Sequence, residues 1–198
     1  LLQRCVSISV PDDEQRGRFL ALGAKAQSLH VTGHTKYDTE PRFAGKDDRE
    51  SARQRFFPGI DARTPVVVLG SLREGEELPW FQALEQVWRS GVKLQVIVAP
   101  RHAERFEFFW GALNRLGRKV SRWSAGCAES GAQPEILLLD TMGRLEEAYA
   151  AGDLAFVGAT MVDIGGHNPL EPAMYRVPVV VGPYTSVIRS TVSRMRDE

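Results

Sequence analysis

Short apolar runs alternate with stretches of helical periodicity along the chain. Runs rich in Val, Ile and Leu predict strands near Cys5–Val10, Ser28–Thr32, Val66–Gly70, Leu94–Ala99, Lys119–Trp123, Ile136–Leu139, Leu154–Val157 and Val179–Val181. Two of them, Val66-Val67-Val68-Leu69 and Ile136-Leu137-Leu138-Leu139, are apolar at consecutive positions. A strand apolar on both faces belongs to a parallel sheet covered by helices on each side. Helical patterns fill the intervals: Asp12 to Leu22, Asp48 to Phe56, Glu76 to Ser90, Arg101 to Leu116, Gly143 to Ala151, Leu170 to Tyr175 and Ser186 to Arg196. The first opens on Pro11-Asp12-Asp13-Glu14, with acids where the helix dipole favours them. Gly23, Gly91, Gly117 and Gly152 stand where helices should stop. Alternating strands and helices with short connections predict a doubly wound α/β domain with helices on both faces of the sheet.

The alternation breaks over residues 33–64, which hold few apolar positions, many charges, Pro41, Gly45, Pro58 and Gly59. This stretch reads as a linker carrying one connecting helix. Residues 1–32 then form the last strand and helix of a preceding domain, and residues 65–198 form the main domain. The length of 198 residues fits one such domain plus a trailing piece, at roughly 150 residues per domain. Twenty-five basic side chains balance 25 acidic ones, so nothing points to nucleic acid as a partner. No apolar run approaches the roughly 20 residues that span a bilayer. Cys5 and Cys127 are too few for a disulfide framework and suit a reducing compartment. The chain opens on Leu1-Leu2-Gln3-Arg4, without the pattern of a signal peptide, and stops inside a helical pattern. Both ends read as those of a piece of a longer protein.

In an open parallel sheet, ligands bind at the carboxyl ends of the strands. Four strand-to-helix turns are unusual there. In Gly70-Ser71-Leu72-Arg73-Glu74-Gly75-Glu76, free backbone N–H groups and the Ser71 hydroxyl suit a phosphate or carboxylate, unless Ser71 only caps the helix. In Ala99-Pro100-Arg101-His102, a cation at a helix entrance opposes the dipole, which makes sense if Arg101 grips an anion there. The plainer reading is a solvated Arg with His102 packed on a neighbouring turn. In Asp140-Thr141-Met142-Gly143-Arg144, Asp140 or Thr141 can cap a helix, Gly143 admits close approach, and Met142 either covers a flat base or fills the core. The most specific turn is Gly165-Gly166-His167-Asn168-Pro169-Leu170-Glu171-Pro172. Here Asn168 is the expected N-cap, Pro169 the first helical residue, and Glu171 either complements the dipole or accepts from a ribose diol.

Other chemistries lack their marks. There is no G-x-G-x-x-G, no P-loop Lys and no G-x-S-x-G elbow. His102 and His167 have no Cys or carboxylate at metal spacing, so neither a metal nor a cofactor is expected. Six bases against two acids over residues 101–122 read as a solvated face, or as a patch for an anionic ligand or membrane surface. Trp80, Trp88, Trp110 and Trp123 are assigned to packing.

Taken in order, these pieces resemble the C-terminal half of the 3-deoxy-D-manno-octulosonic acid (Kdo) transferases of lipopolysaccharide synthesis. The resembling residues are Val31-Thr32-Gly33-His34-Thr35-Lys36-Tyr37-Asp38, Gly70-Ser71 with Glu74-Gly75-Glu76-Glu77, Ala99-Pro100-Arg101-His102, Asp140-Thr141-Met142-Gly143, Phe156-Val157-Gly158, Gly165 to Pro172, and Val181-Gly182-Pro183. The resemblance implies the C-terminal domain of a GT-B glycosyltransferase, with a Rossmann-like parallel sheet. It implies CMP-Kdo as donor, held by Ser71, Pro100, Arg101, Met142, Gly143, Arg144, Asn168, Pro169, Leu170 and Glu171. Arg101 would sit on the phosphate, Ser71 near the sugar carboxylate, and Glu171 on the ribose. The catalytic base, the lipid A precursor acceptor and the contact with the cytoplasmic face of the bacterial inner membrane would belong to a domain outside this chain, which by itself is expected to be soluble and inactive. Alternatives are another GT-B enzyme, UDP-sugar transferase or epimerase-like, and a non-catalytic Rossmann-like binding module. The chain departs from the family pattern with His34 for Asn, Leu72-Arg73 for Thr-His, Arg144 for Glu, and Tyr184-Thr185-Ser186 for His-Thr-Phe-Asn.

Overall fold

The computed structural model describes residues 2–33, 38, 40–43, 45–126 and 133–197. His34 to Tyr37 of the first motif, and Cys127, lie outside the described residues. The chain divides into two compact units, Leu1–Glu40 and Pro41–Glu198.

The first unit holds β1 (Ile8–Val10), α1 (Asp13–Ala21) and β2 (Leu29–Val31). β1 and β2 pair in parallel, Ile8 opposite Leu29. Asp12 caps α1 by accepting from Gln15 N at 2.8 Å. Val10, Ala24 and Leu29 form the unit's small buried cluster.

The second unit contains α2 (Lys46–Phe56), β3 (Val66–Leu72), α3 (Glu77–Arg89), β4 (Gln95–Pro100), α4 (Phe106–Asn114), β5 (Val120–Arg122), β6 (Ile136–Leu138), α5 (Leu145–Ala151), β7 (Leu154–Val157), α6 (Leu170–Ala173), β8 (Val179–Val180) and α7 (Arg189–Asp197). Its six strands form one sheet in the order β5-β6-β4-β3-β7-β8, and every pairing is parallel. Alternate residues of each strand enter opposite cores, as a pleated strand requires. Val66, Val68, Ile97, Ala99, Leu137 and Ala155 pack with Phe56 and Phe57 after α2, and with Ala148 and Tyr149 of α5. Val67, Leu69, Val96, Val98, Leu138 and Phe156 pack with Phe81, Leu84 and Trp88 of α3 and Phe109 and Leu113 of α4. The sheet is therefore Rossmann-like, with helices on both faces.

Three expectations need correction. The sequence reading puts residues 46–60 in a linker, but they pack into the second unit. Their few apolar residues, Ala52, Phe56, Phe57 and Ile60, are all buried. Arg53, 4% exposed, ties α2 to the sheet: Nη1 donates to Asp153 Oδ2 at 2.8 Å and Nη2 to Thr64 O at 2.6 Å. The helix expected from Arg101 begins later, with a 3-10 turn at Ala103–Arg105 before α4. Asp140 caps no helix; it reaches back to β5's exit, accepting from Ser124 N at 2.8 Å and Ser124 Oγ at 2.5 Å.

The tryptophans pack: Trp123 lies 5.0 Å from Phe56 and Trp80 4.9 Å from Phe156, centroid to centroid. The basic run is largely matched. Arg105 pairs with Glu74 at 2.8 Å, Arg118 with Glu135 at 3.0 Å, and Arg122 grips Glu107 with both Nη atoms at 2.6 and 2.7 Å. The Arg122 bonds hold the Glu107 carboxyl below its usual range. No helix among the described residues is long and apolar enough to cross a membrane.

If α2 belongs to the core, Phe56→Ala lowers unfolding free energy by about 3–5 kcal/mol, the range for deleting a buried aromatic ring. A chain begun at Pro65 should lose cooperative urea unfolding, followed by circular dichroism, while a chain begun at Pro41 keeps it. An unchanged urea midpoint for Phe56→Ala contradicts this assignment.

Candidate functional site

Because all six strands of the second unit run parallel, their C-terminal ends share one edge of the sheet. The ends of β3, β4 and β6 bring Ser71, Pro100, Arg101, Met142 and Gly143 around one cleft, together with Ala99, Leu139, Thr141 and Leu145.

Ser71 reaches this cleft through a backbone irregularity. Gly70 pairs with Ala99 and Leu72 with Pro100, so Ser71 is the extra residue of a β-bulge. Its φ of 53° is left-handed, which costs a non-glycine residue about 1–2 kcal/mol and persists only where the surroundings hold it. Gly158 holds it from one side: its N donates to Gly70 O at 2.8 Å, and a Cβ there would strike the Ser71 carbonyl. Pro100, the last residue of β4, is buried, and Arg101 leaves the sheet directly after it. Arg101 N donates to Leu72 O at 3.1 Å, fixing the main chain. Its exposed side chain has no hydrogen-bond or ion-pair partner among the described residues.

Arg144 is exposed beside the cleft but does not line it. Its Nη1 donates to the buried Glu147 carboxylate at 2.9 Å, and its guanidinium lies over the Trp123 ring at 5.5 Å. Glu147 also takes an ion pair from Arg55 of α2. The Arg144 side chain is thus occupied within the fold, which leaves its backbone to face a ligand.

The Asn168 to Glu171 run follows β7. His167 N donates to Gly158 O at 3.1 Å, pinning the loop to the end of that strand. Helix α6 starts one residue later than expected, with Pro169 as the residue before its first turn. Asn168 still caps it, accepting from Leu170 N at 3.2 Å. Pro169 is buried and faces a separate groove with Val179 to Val181, Val192 and Met195. Glu171, which does not line the cleft, acts on Tyr149 of α5 through its charge. Burial pushes the Tyr149 phenol far up, and the Glu171 charge adds to it, so Tyr149 stays a protonated donor. A Cβ at Gly70, one residue before Ser71, would collide with the Tyr149 hydroxyl.

Glu76 is the residue whose part in this site sequence reading does not reveal. It is 0% exposed. Its Oε2 accepts from Arg73 N at 2.8 Å and Ala159 N at 2.9 Å, and its Oε1 from Thr160 N at 3.0 Å and Met161 N at 2.9 Å. One carboxylate thereby joins the turn after β3 to the turn after β7. In the sequence it stands at a helix start, where an acid has a commoner explanation in the dipole, and within the resembling run Glu74 to Glu77, neither of which gives its bonds. Among the described residues no group of three or more His, Cys, Asp or Glu side chains is placed to hold a metal ion.

This is a Rossmann-like domain in which, at the C-terminal ends of its strands, an arginine side chain without a partner among the described residues stands beside a tightly held backbone turn. No family model matches the chain. Curated relatives do: 3-deoxy-D-manno-octulosonic acid transferases of Chlamydia pneumoniae, 36% identical over 174 residues and 87% of this chain, and of Bordetella pertussis, 34% over 176 residues and 87%. The chain spans 38% and 39% of the length of those two relatives. A solved structure, the C-terminal CMP-Kdo binding domain of WaaA from Acinetobacter baumannii, superposes with a TM-score of 0.65 at 31% identity, covering 75% of this chain and 77% of that one. The chain belongs to the 3-deoxy-D-manno-octulosonic acid transferase family.

Replacing Glu76 by Gln turns one acceptor oxygen into a donor facing two N–H groups. The expected loss is about 3 kcal/mol of stability, from breaking charge-assisted bonds in a buried site. Urea melts of Glu76→Gln and wild type measure it, and equal midpoints would remove Glu76 from its organising role.

Proposed function

We propose that the second unit binds CMP-Kdo in the cleft at the ends of β3, β4 and β6, as the donor domain of an inverting Kdo transferase. The observation that carries this reading is the convergence of Ser71, Pro100, Arg101, Met142 and Gly143 around one cleft, with the Arg101 side chain unpaired among the described residues. Arg101 takes the phosphate, as a guanidinium can with two parallel bonds. Met142 and Gly143, both exposed, take the nucleotide, and the Arg144 backbone extends that wall. Asn168, Leu170 and Glu171 take the ribose and phosphate, with the Glu171 carboxylate accepting from the ribose diol, while Pro169 sets the start of α6. Ser71 lies toward the donor sugar. The reading is supported by the relatives' names and by the superposed domain, which is described as binding CMP-Kdo.

In this reading an acceptor hydroxyl attacks the anomeric carbon of Kdo, its proton passes to a base, and CMP leaves. Arg101 and the backbone N–H groups around it stabilise the charge gathering on the departing phosphate. The base, the lipid A precursor site and the contact with the cytoplasmic face of the bacterial inner membrane belong to a further domain. Residues 1–32 are the last part of that acceptor-side domain.

Titration calorimetry with CMP tests the site. Wild type should bind CMP, and Arg101→Ala should weaken it by about 10- to 100-fold, as expected for a lost bond to a charged group. Thermal shifts with CMP and UDP give the specificity, since only a ligand that binds the folded state raises the melting point. A shift with UDP alone would point to a UDP-sugar enzyme, and no shift with either would point to a non-catalytic module.

A further inference from the structure

The cation beside the cleft that the donor reading leaves unused is Arg73. Its main chain is fixed, because Arg73 N is one of the four donors on Glu76. Its side chain runs across to the next strand's exit, where Nη1 lies 2.6 Å from His102 Nε2. A guanidinium has donors and no acceptor. His102 Nε2 therefore accepts, and the ring carries its proton on Nδ1, 3.7 Å from Glu104 Oε1. Arg73 takes part in no ion pair among the described residues, and its Nε is buried without an acceptor. The contrast with its neighbours is sharp: Arg105, Arg118 and Arg122 each have a glutamate. Arg73 and Arg101 follow the ends of adjacent strands, and neither side chain is ion-paired among the described residues.

A buried N–H left unmatched is costly, and an unpaired guanidinium beside an imidazole is a poor resting arrangement. Both costs are relieved if the side chain turns onto an anion in the cleft. The proposed donor brings two anionic groups, a phosphodiester and the sugar carboxylate. Arg101 lines the cleft and can serve one of them. Resting on the donor reading, we infer that Arg73 is a specificity-determining residue that takes the carboxylate of the donor sugar, with His102 as its parking site when the cleft is empty. Ser71, two residues before it on the bulge, offers a hydroxyl to the same group.

The test compares CMP, which lacks the carboxylate, with CMP-Kdo on the 198-residue chain by titration calorimetry. Wild type should bind CMP-Kdo more tightly than CMP. Arg73→Leu should weaken CMP-Kdo by about 10- to 100-fold, the worth of a charge-assisted bond, and leave CMP within about twofold. Arg73→Lys should recover part of the loss, since an ammonium still supplies the charge. If Arg73→Leu fails to fold by circular dichroism, Arg73→Lys and Arg73→Gln carry the comparison, with Gln behaving as Leu should. Equal losses for both ligands, or no loss for either, overturn the inference while leaving the donor site intact. A wild type that binds neither ligand overturns the donor reading itself.

Discussion

The Glu76 carboxylate is the interaction on which the ligand end of this sheet depends. Parallel strands leave their C-terminal turns unsupported by any hairpin, so each turn must be fixed by contacts from elsewhere. Glu76 does this for two turns at once. Its four backbone donors come from the exit of β3 and from three consecutive residues after β7. One of those residues, Ala159, has a left-handed φ of 63°, a conformation that a bond to its N–H helps to hold. The carboxylate is buried, yet both oxygens are satisfied without a cation. A buried charge is tolerable on those terms because oriented N–H dipoles replace the water it lost.

From that anchor the cleft follows by short steps. The turn after β7 presents Gly158, whose missing side chain admits the Ser71 bulge. On the other core, Tyr149 presses its hydroxyl against Gly70, so the bulge is confined from both faces of the sheet. Arg101 hangs from the same strand end through its bond to Leu72 O. Ser71 and Arg101, two of the residues proposed to meet the donor, are thus held by main-chain geometry.

Much of the fold was legible because a buried parallel sheet writes itself as apolar runs. β7 was read to the residue, and the other strands to within a few positions. Helix starts were less legible. Pro100-Arg101-His102 looks like a helix entrance, but a 3-10 turn intervenes, and Asp140 looks like a cap while serving the neighbouring strand. Residues 46–60 misled for a different reason. Composition counts charges, and this segment is charged, but Ala52 and Phe56 of α2, with Phe57 and Ile60 just after it, are buried and seat it in the core. At the site, residue types at strand ends identified five of the cleft's lining residues. The bonds of Glu76 across more than eighty residues and the approach of Arg73 to His102 are tertiary facts with no local signal, whereas the Arg144–Glu147 pair is an i,i+3 spacing visible in the sequence.

Charge gives the last step. Equal numbers of acids and bases describe the chain, but the pairing is uneven. Along α4 and β5 the bases that suggested an anionic partner meet glutamates, and two of them also cover tryptophan rings. Arg53, Arg55 and Arg144 meet carboxylates that fasten α2 and α5 to the sheet. At the exits of β3 and β4 the matching stops, although glutamates stand nearby: Glu74 is taken by Arg105, and Glu76 by the backbone. Arg73 and Arg101 take part in no ion pair among the described residues, and backbone N–H groups at strand exits are a place where an anion is favoured. The neutrality of the whole chain therefore says nothing of how its charges are paired at the exits of β3 and β4.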